Sequence, residues 1–265
     1  MNKLEKSIQF VANHFKRNAF NPDFAWEKVT GQPKRILFRP AVWRSAVAVA
    51  VVLIVAGTFL LRPAQDKVLT AHKEQKISIM PDKSTITLQP NASLTYAKNF
   101  GKENRNVSLA GSAKFEVARN ENLPFIVQTS QAEITVLGTV FNVENSENQT
   151  NLEVLSGKVL FEPHDFPVTS ICTKDMSVAY NSTEKEFVFT SPESGCTINQ
   201  KNNLLKFSNM QLAEVARILT EYYGQEIFIE EKDSDLRLTS TFENKNIWEI
   251  LEVINLTLET KITAS

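Results

Sequence analysis

The sequence predicts a membrane-anchored α+β chain in four parts: a short helical arm, one transmembrane helix, an all-β domain and a small C-terminal βαβ-βαβ domain. Three observations carry that expectation. Residues 45–61 hold no charge, an apolar/polar alternation of period two runs through residues 76–190, and a thirty-five-residue repeat fills the last sixty residues. The implied boundaries are 1–44 for the arm, 45–61 for the helix, 62–75 for a linker, 76–192 for the β domain, 193–203 for a second linker and 204–265 for the terminal domain.

The arm carries nine basic and three acidic residues. Leu4, Ile8, Val11, Ala12 and Phe15 fall at helical spacing. A second apolar set, Phe20, Phe24, Trp26 and Val29, follows Asn21-Pro22, a helix-start signal. An arm this short cannot bury so many aromatics by itself. Residue chemistry leaves two readings open: a helix lying on an anionic leaflet, and a segment that fills a groove on a cytoplasmic partner.

The run SAVAVAVVLIVAGTFLL is seventeen residues, about 25 Å of helix at 1.5 Å per residue. Trp43 and Arg44 before it and Arg62 after it extend its reach, because indole sits at the interface and arginine snorkels. A signal peptide would place the run nearer the N-terminus. Lys34, Arg35, Arg39 and Arg44 outweigh Arg62 and Lys67, so the positive-inside rule puts the arm in the cytoplasm. The remainder carries twenty basic and twenty-seven acidic residues and lies outside. Cys172 and Cys196 are both on that side, where a single disulfide can persist.

Alternating stretches at 85–89, 106–109, 114–117, 125–129, 133–137, 140–143, 151–155, 158–161 and 187–190 read as strands. Turn residues separate them: Pro81-Asp82, Pro90-Asn91, Gly101, Gly111, Gly138 and Ser156-Gly157. Short strands at such spacing fit a sandwich, a roll or a short β-helix.

The repeat aligns Phe207, Asn209, Leu212, Glu214, Val215, Ile218 and Leu219 with Phe242, Asn244, Ile247, Glu249, Ile250, Val253 and Ile254. Each copy reads as strand, helix, strand, the closing strands falling at 225–230 and 260–264. Ser208 with Gln211 forms a candidate capping box, as does Asn246 with Glu249. Gly224 stands where a left-handed C-cap belongs.

Catalytic chemistry has no visible motif. His14, His72 and His164 are scattered, and no phosphate-binding loop, nucleophile elbow or metal-ligand spacing occurs. Glu116 is the best catalytic candidate, and a solvated carboxylate on a strand face is the simpler account of it. No cofactor, metal or enzyme activity is expected.

Met80-Pro81-Asp82-Lys83-Ser84, then Ile86, Leu88, Asn91, Ser93, Leu94 and Tyr96, resembles the opening motif of the FecR periplasmic domain. Arg105-x-Val107-x-Leu109-x-Gly111-x-Ala113-x-Phe115-Glu116-Val117 is similar to that family's most recognisable stretch. Pro124-Phe125-Ile126-Val127-x-Thr129, Val136-Leu137-Gly138-Thr139-x-Phe141-Asn142-Val143 and Leu155-x-Gly157-x-Val159 continue in order. Lys83 stands where the family usually has glycine, and Lys174-Asp175 replaces a common Pro-Gly turn. The terminal repeat resembles the short signalling domain of secretins and TonB-dependent transducers.

The resemblance implies an anti-sigma factor in the bacterial inner membrane, with no direct contact to nucleic acid. Its arm would bind an extracytoplasmic-function sigma factor, with Phe15, Phe20, Phe24 and Trp26 as anchors. Its terminal domain would meet the signalling domain of a TonB-dependent outer-membrane transporter. Tyr222, Tyr223, Glu226 and Phe228, on and beside an edge strand, are the candidate contacts there. The alternative is a membrane-anchored periplasmic binding or adhesion protein.

Overall fold

The computed structural model describes Lys6, residues 8–10, Asn13 and residues 66–265. The expected transmembrane segment and the anchors Phe15, Phe20, Phe24 and Trp26 lie outside the described residues. Among the described residues no helix is long and apolar enough to cross a membrane. Ala64–Ser265 forms one compact unit.

Two sheets build that unit. The first runs β1 (Lys67–Thr70), β4 (Ser93–Tyr96), the first half of β5 (Arg105–Glu116), β6 (Phe125–Gln128), β7 (Ala132–Val136), β10 (Lys158–Pro163) and β11 (Ser170–Thr173). In the second, β2 (Lys76–Ile79) and β3 (Thr85–Leu88) precede the second half of β5. Then come β8 (Val140–Asn145), β9 (Gln149–Ser156), β12 (Ser177–Asn181), β13 (Glu186–Thr190), β14 (Gly195–Asn199), β15 (Leu204–Gln211) and β17 (Arg237–Glu243). All neighbours pair antiparallel except β5 and β6.

The alternation explains why the sheets face each other: the central strands bury one side, as in β7, where Ala132, Ile134 and Val136 are buried and Glu133 and Thr135 are not. Aromatic rings join the layers. Phe115 meets Phe125 edge-on at 6.0 Å, and Phe161 lies 6.4 Å from Phe187. Of the three architectures open to the sequence, this is the sandwich.

The stretches 106–109 and 114–117, expected as separate strands around a turn, form the single strand β5. Gly111 is its corner, where pairing passes from β4 and β6 to β3 and β8. Its φ is +86°, and a Cβ there would lie 2.9 Å from Ala92 Cα, so both conformation and space require glycine.

Both expected linkers contain strands. Within 62–75, β1 pairs with β4, and within 193–203, β14 pairs with β13 and β15. The terminal region is therefore not separated from the β domain. Its strands β15 and β17 extend the second sheet, and only β16 (Ile227–Phe228) and β18 (Thr263–Ala264) pair apart from it.

Helices α1 (Leu212–Tyr223) and α2 (Ile247–Leu258) sit thirty-five residues apart, as the repeat requires. Asn246 accepts from the Glu249 N–H at 3.1 Å and Glu249 answers at 3.0 Å, a complete capping box. Ser208 does not cap α1. The β15–β17 pairing continues through a bulge to Gln211, and helix α1 starts without a side-chain cap. Gly224 closes α1 at φ 68°, its N–H bonding the Thr220 carbonyl.

The two turns that depart from the family pattern share one geometry. Lys83 has φ 73° and Asp175 φ 64°, left-handed conformations that glycine would adopt without strain.

Candidate interaction surfaces

Helix α1 buries Leu212, Val215, Ile218 and Leu219 beneath it and turns Glu214, Arg217 and Glu221 outward. Arg217 Nε donates to Glu214 at 3.0 Å, Nη1 to Glu221, and Nη2 to the Thr169 carbonyl at 3.2 Å. Glu221 in turn accepts from the Thr169 N–H at 2.9 Å. Burial works against the Arg217 charge, yet the two glutamates hold the proton on and raise its pKa. Two helix residues thus satisfy the backbone just before edge strand β11, and the helix is clamped to the first sheet. Between them opens a cleft of about 660 Å³, lined by Ile171, Phe189, Met210, Glu214, Arg217 and Arg237 among others.

The four expected transporter contacts divide into two pairs. Tyr222 packs inward, 6.4 Å from Phe166 and edge-on to Tyr223 at 4.9 Å. Tyr223 is half-buried and its hydroxyl donates to the Lys245 carbonyl at 2.9 Å. Burial pushes its pKa up to about 12. Both rings therefore hold α1 in place, whereas Glu226 is exposed and Phe228 is 50% exposed on β16.

Nothing in the motif match points to Trp248, Val253 and Leu256, which lie on the outer side of α2. Trp248 is 56% and Leu256 76% exposed, with Glu252 and Glu259 beside them in sequence. The signal is legible: these three apolar residues fall off the stripe formed by Ile247, Ile250, Leu251 and Ile254.

Glu116 is half-exposed and ion-paired to Lys114 at 2.8 Å, a carboxylate on the face of β5. Among the described residues no three His, Cys, Asp or Glu side chains gather as a metal site. Cys172 and Cys196 are both free and buried, so the disulfide that the sequence left open is not formed. Burial raises their pKa to about 11 and about 12 respectively.

Arg105, from the most recognisable motif, is 1% exposed and explains why that stretch has its form. Its Nε donates to the Leu123 carbonyl at 2.7 Å and its Nη1 to the Ala118 carbonyl at 2.8 Å. Nη2 reaches the Asn120 carbonyl at 3.2 Å, and Asp82 is its ion-pair partner at 3.2 Å. The guanidinium is the buried tie that orders the 118–124 loop.

The family described as FecR protein matches residues 66–160, and the one described as FecR, C-terminal, matches residues 204–264. Two crystal structures of an anti-sigma-factor candidate from Parabacteroides distasonis ATCC 8503 are similar to this chain. One is 26% identical, covering 72% of this chain and 91% of that one, with a TM-score of 0.45. The other is 24% identical, covering 76% and 98%, also with a TM-score of 0.45. No curated protein matches. With the two FecR regions in order over more than half of its length, the chain belongs to the FecR family.

Proposed function

We propose that this FecR-family chain is an anti-sigma regulator that relays a signal across the bacterial inner membrane. Residues 1–44 hold an extracytoplasmic-function sigma factor in the cytoplasm, residues 45–61 cross the bilayer, and Ala64–Ser265 senses a TonB-dependent outer-membrane transporter. The observation that carries the reading is the order of parts: a basic, aromatic arm, an uncharged run and then both FecR regions.

The transporter's signalling domain meets the exposed part of the terminal region: Glu226 just before β16, Phe228 on it, and Trp248 and Leu256 on α2. Exposed aromatics beside carboxylates suit an apolar contact rimmed with basic residues.

Two experiments test the reading. Residues 1–44 retain the sigma factor in a pull-down, and Trp26→Ala weakens retention at least tenfold, since buried aromatic anchors commonly supply about 2 kcal/mol or more. In the full chain, Trp248→Glu with Leu256→Glu abolishes induction by the transporter's ligand and leaves sigma binding intact. An arm that binds no sigma factor refutes the relay and favours a membrane-anchored binding or adhesion protein. Intact induction in the double variant removes the α2 face from the contact.

A further inference from the structure

We propose that the solvent-facing side of the first sheet is a self-complementary docking surface for a second copy of this chain. Strand register sets it out in three parallel rows. Ile126 faces Thr135, Thr135 faces Leu160, and Leu160 faces Ile171, an apolar row across four strands. Two residues along on one side, Gln128, Glu133 and Glu162 form an acidic row. Two residues along on the other, Leu137, Lys158 and Thr173 form a row whose only charge is positive. Phe125, Val136, Val159 and Cys172, in the same four strands, are buried. By alternation the three rows therefore point outward.

The apolar row ends in Leu160 and Ile171, which also line the cleft beside α1, and Ile171 is 59% exposed on the edge strand. Glu133 accepts from the Gln128 side-chain amide, whereas neither Lys158 nor Glu162 makes an ion pair among the described residues. Glu133 and Glu162 stand directly opposite on neighbouring strands, an arrangement of like charges that destabilises a sheet until a cation arrives.

A basic, an apolar and an acidic row, in that order, select the partner. If a two-fold axis lies along the apolar row, each row residue meets its own counterpart. Lys158 then lies over Glu162 of the partner subunit, and Glu162 over Lys158 of the partner subunit. That is the isologous arrangement of a closed dimer. An axis along the strands would set cation on cation, so the pattern chooses one orientation. Four strands at about 4.8 Å and rows about 6.7 Å apart make a patch of a few hundred Å². This is less than the roughly 800 Å² per partner of a stable complex, so the pair is weak and is best trapped by cross-linking.

Thr135→Cys in the full chain places a thiol on the proposed axis, while Cys172 and Cys196 stay buried. Mild oxidation links this variant into a dimer at least tenfold faster than a Glu103→Cys reference on an exposed loop. Adding Lys158→Glu or Glu162→Lys lowers the Thr135→Cys yield about tenfold, because each reversal counts twice in a two-fold interface. Adding both reversals together restores it. The proposal is overturned if Thr135→Cys links no faster than Glu103→Cys, as it would if a different protein covered this face. It is overturned equally if the single reversals leave the yield unchanged or the double reversal does not recover it.

Discussion

Replacing Arg105 by methionine keeps most of the side chain's length and removes only its charge and donors. In the native unit Arg105 makes three hydrogen bonds to carbonyls and one ion pair, at 1% exposure. A thioether in its place would leave the Leu123, Ala118 and Asn120 carbonyls without that donor. Asp82, only 7% exposed, would keep the Ser84 N–H at 3.0 Å and the Ser84 hydroxyl at 2.7 Å. Breaking a buried pair from one side costs about 3–5 kcal/mol. The two remaining bonds to Asp82 argue for the lower half of that range. For a unit of this size each kcal/mol shifts Tm by about 2–4 °C, so the variant should melt about 6–16 °C lower. Thermal and urea unfolding of Ala64–Ser265 measure this directly. Adding Asp82→Asn to Arg105→Met removes the orphaned charge, so the double variant should lose clearly less than the sum of the singles. A loss below about 1 kcal/mol for Arg105→Met would refute the reasoning. Water would then have replaced the guanidinium, and the 118–124 loop would order itself without it.

Other substitutions read the fold at separate points. Gly111→Ala should cost about 2 kcal/mol or more by urea unfolding, since it combines left-handed strain with a Cβ only 2.9 Å from Ala92 Cα. Lys83→Gly and Asp175→Gly, at φ 73° and 64°, should each stabilise by up to about 1 kcal/mol, seen as a rise in Tm. Asn246→Ala should cost about 1 kcal/mol by losing its capping box, whereas Ser208→Ala, on a strand, should change stability by less than half of that. Cys172 and Cys196 should resist maleimide at pH 8 until the protein unfolds. Their folded pKa values lie above the ordinary thiol value, so the unfolded state loses its protons first. The stability they contribute is full below about pH 8.5 and declines as pH rises toward 11 and beyond.

The repeat was the most legible part of the fold because two independent periods agree there. The helices begin at Leu212 and Ile247, and the equivalent residues Asn209 and Asn244 both take left-handed φ, 49° and 52°. Ser208 misled because its local capping preference competes with a ladder already running from β14 through β15 to β17, and the ladder won. The supposed linkers misled for a related reason. Four- and five-residue strands such as β1 and β14, flanked by polar or turn-forming residues, carry too few alternations to stand out, and their pairing partners lie elsewhere in the chain. At the surfaces, Glu226 and Phe228 were readable as exposed edge residues. Tyr222 and Tyr223 were not, because nothing local announces Phe166 or the Lys245 carbonyl as their partners.

The continuity of the second sheet changes what a relay must do. A separate terminal domain on a linker would signal by being pulled or released. Here β14 joins the terminal strands to the rest, and Arg217 with Glu221 fastens α1 to the backbone of Thr169, just before β11 of the other sheet. A partner seated on α2 therefore loads the whole unit, and it shifts an equilibrium only if it binds two arrangements of that unit unequally. The Arg217 clamp is the element whose loss separates these alternatives. Arg217→Met with Glu221→Met removes both bonds from α1 to the Thr169 backbone while sparing the buried stripe of Leu212, Val215, Ile218 and Leu219. If the clamp carries load, the variant should keep partner binding and sigma retention, yet respond less to the transporter's ligand in an induction assay. An unchanged response would place the transmission in the continuous strands alone.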